Sequence, residues 1–90
     1  MSEARRTLTV QDREGLHARP CARIARAAQK FQSTVTAAYD GRVVDAKSVL
    51  ELLGLMAAGG EDVEFHAVGD DAAECLEAVA AAMADADGKG

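Results

Sequence analysis

Apolar positions along this chain switch between a two-residue period and a three-to-four-residue period, and the switches divide the sequence into seven elements. Residues 6–11 alternate, with Leu8 and Val10 on one side and Thr7 and Thr9 on the other, as in a strand with one buried face. Gly15 breaks that pattern. Over 18–30, Cys21, Ile24, Ala25, Ala28 and Phe31 recur at three- and four-residue spacing and predict a helix with one apolar stripe. Pro20 fits only a first turn, where its missing N–H is not needed, so the helix starts at about His17 or Ala18. Val35, Ala37 and Tyr39 resume the alternation over 33–39. Asp40-Gly41 is a hairpin turn signal, because a type I′ turn needs positive φ at both positions. Val43 and Val44 continue into the returning strand. Ser48 to about Leu55 reads as a short helix, and Gly59-Gly60 ends that region. Val63, Phe65 and Ala67 mark a strand over 62–68. Asp71 opens a last helix, striped by Ala72, Cys75, Leu76, Val79 and Met83. The polar tail from Asp85 is expected to fray.

The order is strand, helix, strand, strand, helix, strand, helix. A sheet with helices on one face is the α+β solution for it. The 90 residues suffice for a single domain over 1–90, with an ordered core expected at about 5–85.

Composition narrows the function classes. With two Phe, one Tyr and no Trp, the core must be aliphatic and alanine-rich. No apolar run approaches the roughly 18 residues of a membrane span, and the first residues do not read as a signal peptide, so a cytoplasmic protein without membrane insertion is expected. Net charge is −5, unevenly spread: residues 1–30 hold seven Lys/Arg against three Asp/Glu, and the rest hold three against twelve. The acidic total argues against nucleic acid. The basic first third suggests one cationic face suited to phosphate or to an acidic partner. Cys21 and Cys75 make neither a disulfide framework nor a zinc site and read as small buried hydrophobes, with a redox thiol at Cys21 as the alternative. No phosphate-binding glycine loop and no carboxylate pair set for acid–base work is present, so ATP and other cofactors are not expected, nor is a metal.

The segment Gly15-Leu16-His17-Ala18-Arg19-Pro20 places an imidazole at a helix start. The leading N–H groups of a helix lack intrahelical partners and stabilise an anion by about 0.3–2 kcal/mol. A phosphoryl group on His17 would lie against them, and Arg19 could add a charged donor. On spacing alone a plain helix-start histidine remains open. His66, the only other histidine, lies on a strand, and no cysteine stands at ligand spacing from either histidine.

That segment resembles the active-site motif of the HPr phosphocarrier family of the bacterial phosphotransferase system. Ala46-Lys47-Ser48-Val49-Leu50 is similar to the family's regulatory serine region, and the separation of the two also fits. The resemblance spans about residues 5–85. It implies an open-faced sandwich, with a four-stranded antiparallel sheet and three helices on one face. It implies His17 as phosphoryl acceptor at Nδ1, Arg19 as its charged support and Pro20 as shaper of the first turn. The donor would be phospho-enzyme I, charged by phosphoenolpyruvate, and the recipients IIA components of sugar permeases. Such a protein is a stoichiometric carrier rather than an enzyme, and is expected to be monomeric.

Ser48 and Glu51 make a capping box for the second helix. The resemblance adds regulatory phosphorylation of Ser48 by an HPr kinase/phosphorylase, which the nearby Glu51 charge would oppose. Residues 49–56 are apolar on more than one side. Val49 and Leu52 should face the core, leaving Leu50 and Leu53 exposed at positions the family uses for docking. Arg19, Arg23, Arg26 and Lys30 share one face of the first helix, where Arg23 and Arg26 are candidates for docking an acidic partner. Two other readings stand beside the sugar carrier. One is an HPr-like carrier of the nitrogen-related branch, which the run Ser48-Val49-Leu50 followed by Leu52-Leu53 resembles. The other is a non-catalytic regulatory module acting through Ser48.

Overall fold

A computed structural model describes residues 2–84. The elements run β1 (Glu3–Thr9), α1 (Ala18–Gln29), β2 (Thr34–Tyr39), β3 (Arg42–Asp45), α2 (Val49–Leu55), β4 (Asp62–Val68) and α3 (Ala72–Ala84). The four strands form one antiparallel sheet in the order β1-β4-β2-β3. Strands that neighbour in sequence are not all neighbours in space: the C-terminal β4 inserts between β1 and β2.

The alternation predicted for the strands sets the two faces of the sheet. Val35, Ala37, Val63, Phe65 and Ala67 are buried, and the stripes of α1 (Cys21, Ile24, Ala25, Ala28) and α3 (Ala72, Cys75, Leu76, Val79, Met83) complete the core with them. Thr34, Thr36, Glu64 and His66 fall on the opposite, open face, as the strict side-chain period of two requires. The hairpin turn takes the expected form, with Asp40 at φ 52° and Gly41 at φ 81°. Asp71 caps α3: its C=O accepts the Cys75 N–H, and its carboxylate accepts the N–H groups of Gln32 and Ser33 and the Ser33 hydroxyl. The Ser33 hydroxyl first, and then the Gln32 N–H, hold that carboxyl below the usual carboxylate range.

Two sequence expectations need correction. The first strand runs over Glu3–Thr9 rather than 6–11. Its start carries no apolar alternation, yet it pairs in register from Glu3↔Val68 onward, and Glu3 takes a 2.6 Å hydrogen bond from His66 Nε2. The second helix ends at Leu55 as expected, with Met56 in the left-handed region at φ 58° as its C-cap. Leu53 is half-buried against the core rather than exposed, whereas Leu50 is 80% exposed as expected and Met56 is 78% exposed. The seven-residue helix is short, and its fully buried residues are Leu52 and Leu55; Leu53 leans on the same core. The tail from Asp85 lies outside the described residues. No described helix is long and apolar enough to cross a membrane.

Candidate functional site

The loop between β1 and α1 is built by backbone bonds before any functional side chain enters. Val10 N–H donates to Glu61 C=O, and Val10 C=O accepts from Gly60 N–H. Asp12 C=O accepts Gly15 N–H, while its Oδ1 accepts Glu14 N–H at 2.8 Å, an Asx turn that closes the loop on itself. Gly15 sits at φ 82° against the chain at Ala57; a Cβ there would lie 2.5 Å from the Ala57 carbonyl oxygen. Leu16 is buried, and its N–H donates to that same oxygen at 2.9 Å. His17 is thereby delivered to a fixed place beside the end of α2.

His17 is the N-cap of α1, at φ −89° and ψ −171°, as the position of Pro20 predicts. The first intrahelical bond runs from Cys21 N–H to His17 C=O. Ahead of it stand the N–H groups of Ala18 and Arg19; Pro20, third in the helix, has none to offer. The His17 side chain makes no capping bond, so it does not occupy those donors. Arg19 is exposed and lines a polar cavity of about 240 Å³ together with Asp12, Arg13, Glu14 and His17.

Sequence reasoning missed Asp12. Its Oδ2 lies 2.8 Å from His17 Nε2, with the acid side chain 13% exposed and the ring 33%. The Glu14 N–H first, and then the His17 ring, hold the Asp12 carboxyl below the usual carboxylate range, so it is ionised at neutral pH. A carboxylate can only accept. Nε2 therefore carries the ring proton, and in the neutral ring Nδ1 keeps the lone pair. Asp12 stands five residues ahead of His17, across the Gly15 turn, where no periodic pattern connects them; the Asx-turn chemistry of Asp-x-Glu-Gly was the one available signal.

Asp12, Glu14 and His17 also bring one donor atom each within 4.8 Å of one another, the one such trio among the described residues. The sequence search weighed only histidines and cysteines and so passed over it. The Nε2 proton donated to Asp12 would have to leave before that nitrogen could bind a metal.

Ser48 caps α2, its Oγ accepting the Glu51 N–H at 3.1 Å. The reciprocal arm of the capping box is displaced: Glu51 Oε1 accepts the Asp45 N–H at 2.9 Å, because Ser48 N–H already donates to Asp45 C=O. The structure does not bring Ser48 to His17. Gln29, the last residue of α1, donates to Lys47 C=O, so Ser48 sits by the far end of that helix. The near neighbour of the His17 loop is the other end of α2, where exposed Met56 precedes Ala57. Along α1, Arg19, Arg26 and Lys30 are exposed and Arg23 is half-buried. Cys21 is fully buried beneath the first turn, and burial pushes its thiol up to about 11. That is the inert hydrophobe of the first reading, not a redox thiol.

Comparison with known proteins identifies the family. Residues 4–85 match the family model described as PTS HPr component phosphorylation site. The phosphocarrier protein HPr of Cupriavidus necator is 36% identical over 85 residues, which cover 94% of this chain and 96% of the relative. A multiphosphoryl transfer protein of Haemophilus influenzae is 34% identical over 82 residues, 88% of this chain but only 16% of that protein. Among solved structures, HPr-C-His from Thermoanaerobacter tengcongensis superposes with a TM-score of 0.85 at 32% identity, covering 100% of this chain and 99% of that one. A described core of four antiparallel strands and three helices, a histidine at the open start of the first helix and these matches lead to one assignment: the chain belongs to the HPr family, the phosphocarriers of the phosphotransferase system, which carry phosphoryl groups rather than catalyse reactions.

Proposed function

We propose that His17 accepts a phosphoryl group at Nδ1 from phospho-enzyme I in the cytoplasm and passes it to a IIA component. The observation that carries this reading is the position of His17 as N-cap: its ring stands at the head of α1 with Nε2 2.8 Å from the Asp12 carboxylate, which leaves Nδ1 as the nucleophilic nitrogen of the neutral ring. A phosphoryl group on Nδ1 would be served by the Ala18 and Arg19 N–H groups and by the Arg19 guanidinium. The helix-end contribution is only about 0.3–2 kcal/mol. That size suits a carrier, because a deep well would hinder release.

Exposed Leu50 on α2 and Met56 just past its end, with Arg23 and Arg26 on α1, form the docking surface of this proposal. Exposed apolar side chains on one helix and cations on another fit a partner that offers both apolar and acidic groups. Leu53 contributes from beneath, by holding α2 on the core. Ser48 is proposed as a regulatory phosphorylation site, supported by its place at a helix start. The Glu51 carboxylate, held within the same turn, weakens that modification.

The test is transfer in vitro with phosphoenolpyruvate, magnesium and enzyme I from either the sugar or the nitrogen-related branch. An acid-labile phosphate on His17 by mass spectrometry, absent from His17→Ala, is expected, and the enzyme I that supports it identifies the branch. No labelling from either would overturn the reading.

A further inference from the structure

Asp12 lies outside the Gly15–Pro20 segment, and both of its carboxylate oxygens are committed. Oδ1 accepts the Glu14 N–H and Oδ2 the His17 Nε2–H, each at 2.8 Å. Its backbone is held as well, through the bond from Gly15 N–H and the ladder that joins Val10 to Gly60 and Glu61. The carboxylate is anchored by the loop rather than by the ring, so it can impose a position on the ring.

We propose that Asp12 is a positioning residue for phosphoryl transfer, which keeps the proton on Nε2 and stabilises the cationic ring that phosphorylation creates. This rests on His17 being the phosphoryl acceptor. In the forward step the Nδ1 lone pair forms the bond to phosphorus. The donor's own bond to phosphorus breaks, and its electron pair returns to the donor atom of enzyme I. No proton leaves His17: Nε2–H stays in place, and the ring becomes cationic beside a dianionic phosphoryl group. The contact to Asp12 changes from a neutral N–H donor to a charged one, and hydrogen bonds between two ions are the stronger class. Asp12 touches the ring at Nε2, whereas phosphorus lies beyond Nδ1 on the far side. The attraction therefore acts over a shorter distance than the repulsion between carboxylate and phosphoryl oxygens. On departure the Nδ1–phosphorus bond breaks, the pair returns to Nδ1, and the same neutral tautomer reforms without proton uptake. Arg13, Glu14 and Arg19 line the same cavity, but the short contact to the ring belongs to Asp12.

Asp12→Asn and Asp12→Ala separate the two parts of this role. Asparagine keeps an acceptor oxygen without the charge, and alanine removes both. Nitrogen-15 NMR of the His17 ring reads the tautomer; single-turnover transfer from phospho-enzyme I reads the rate and the final phosphorylated fraction. The wild type is expected to hold its proton on Nε2. Asp12→Asn should keep that tautomer and the affinity for enzyme I while shifting the transfer equilibrium about tenfold back toward phospho-enzyme I. Asp12→Ala should mix the tautomers and also slow transfer about tenfold at unchanged affinity. Equal rates, equilibria and ring spectra in all three proteins, with the wild type labelled on His17, would overturn the role of Asp12 alone. Phosphate on Nε2 would overturn it too. A wild type that takes no label from enzyme I would instead remove the carrier reading on which it rests.

Discussion

Replacing Gly15 by alanine perturbs the His17 loop at the point where it leans on the rest of the molecule. Two costs follow from the structure. At φ 82° a residue with a Cβ sits in the left-handed region, which costs about 1–2 kcal/mol. The new Cβ would also lie 2.5 Å from the Ala57 carbonyl oxygen and 3.2 Å from Ala58 Cα, backbone atoms that cannot rotate aside. Relief requires the two segments to part by about 1 Å, since carbon contacts are comfortable near 3.5–4.0 Å. That movement stretches the 2.9 Å bond from Leu16 N–H to Ala57 C=O, worth about 0.5–1.5 kcal/mol. Stiffening the unfolded chain returns about 0.4–1 kcal/mol. The net expectation is a loss of about 2 kcal/mol.

Gly41→Ala supplies the control. Gly41 has nearly the same φ, 81°, but nothing lies within 4 Å of the position of its Cβ. It bears the strain without the collision and should lose only about 1 kcal/mol. Urea unfolding followed by far-UV circular dichroism measures both, and suits a chain without tryptophan. The difference between the variants isolates the contact between the two loops. If they lose the same stability within about 0.3 kcal/mol, Ala57 does not brace the His17 loop and the account of how the site is positioned is wrong.

Three further outcomes follow from single contacts. Ser48→Ala should lose about 1 kcal/mol in the same urea assay, the usual worth of an N-cap oxygen on a first-turn N–H. Leu50→Lys, at a position 80% exposed, should leave stability within about 0.5 kcal/mol while weakening enzyme I docking about tenfold by titration calorimetry. For Cys21 the sign follows from burial: its thiol is raised from 9.0 to about 11, so the folded protein retains a proton that the unfolded chain gives up. The stability held through this group is full below pH 9.0 and declines as pH rises toward about 11, which urea midpoints across that window will register. A midpoint that rises over that window would contradict the burial account.

The helical parts of the fold were legible because their stripes are dense. In α1 and α3 nearly every core-facing position is apolar, and the proline in the first helix marks its start to within a residue. The start of β1 was not legible, because Glu3 and Arg5 point to the open face and Arg6 interrupts the inward side. What recruits them is pairing with β4, a tertiary cause that leaves no local pattern. The end of the second helix at about Leu55 was legible, although its left-handed C-cap is a methionine where a glycine is the usual choice.

The site divides the same way. His17, Arg19 and Pro20 sit within four residues, where helix geometry alone relates them, and their arrangement could be read directly. Asp12 meets the ring only because the Gly15 turn folds the loop back. That division bears on how a carrier can hold a phosphoryl group without keeping it. In the proposed carrier, Pro20 withholds one N–H from the first turn, leaving two that would contact the phosphoryl oxygens, so the side that must let go is kept modest. Stabilisation placed at Nε2 acts through the ring and touches no phosphoryl oxygen. It can offset part of the cost of forming the phosphorylated state without adding a contact that must break when phosphorus leaves Nδ1. A carboxylate on the phosphoryl side would repel its cargo, and an extra cation there would retain it; Asp12, behind the ring, does neither.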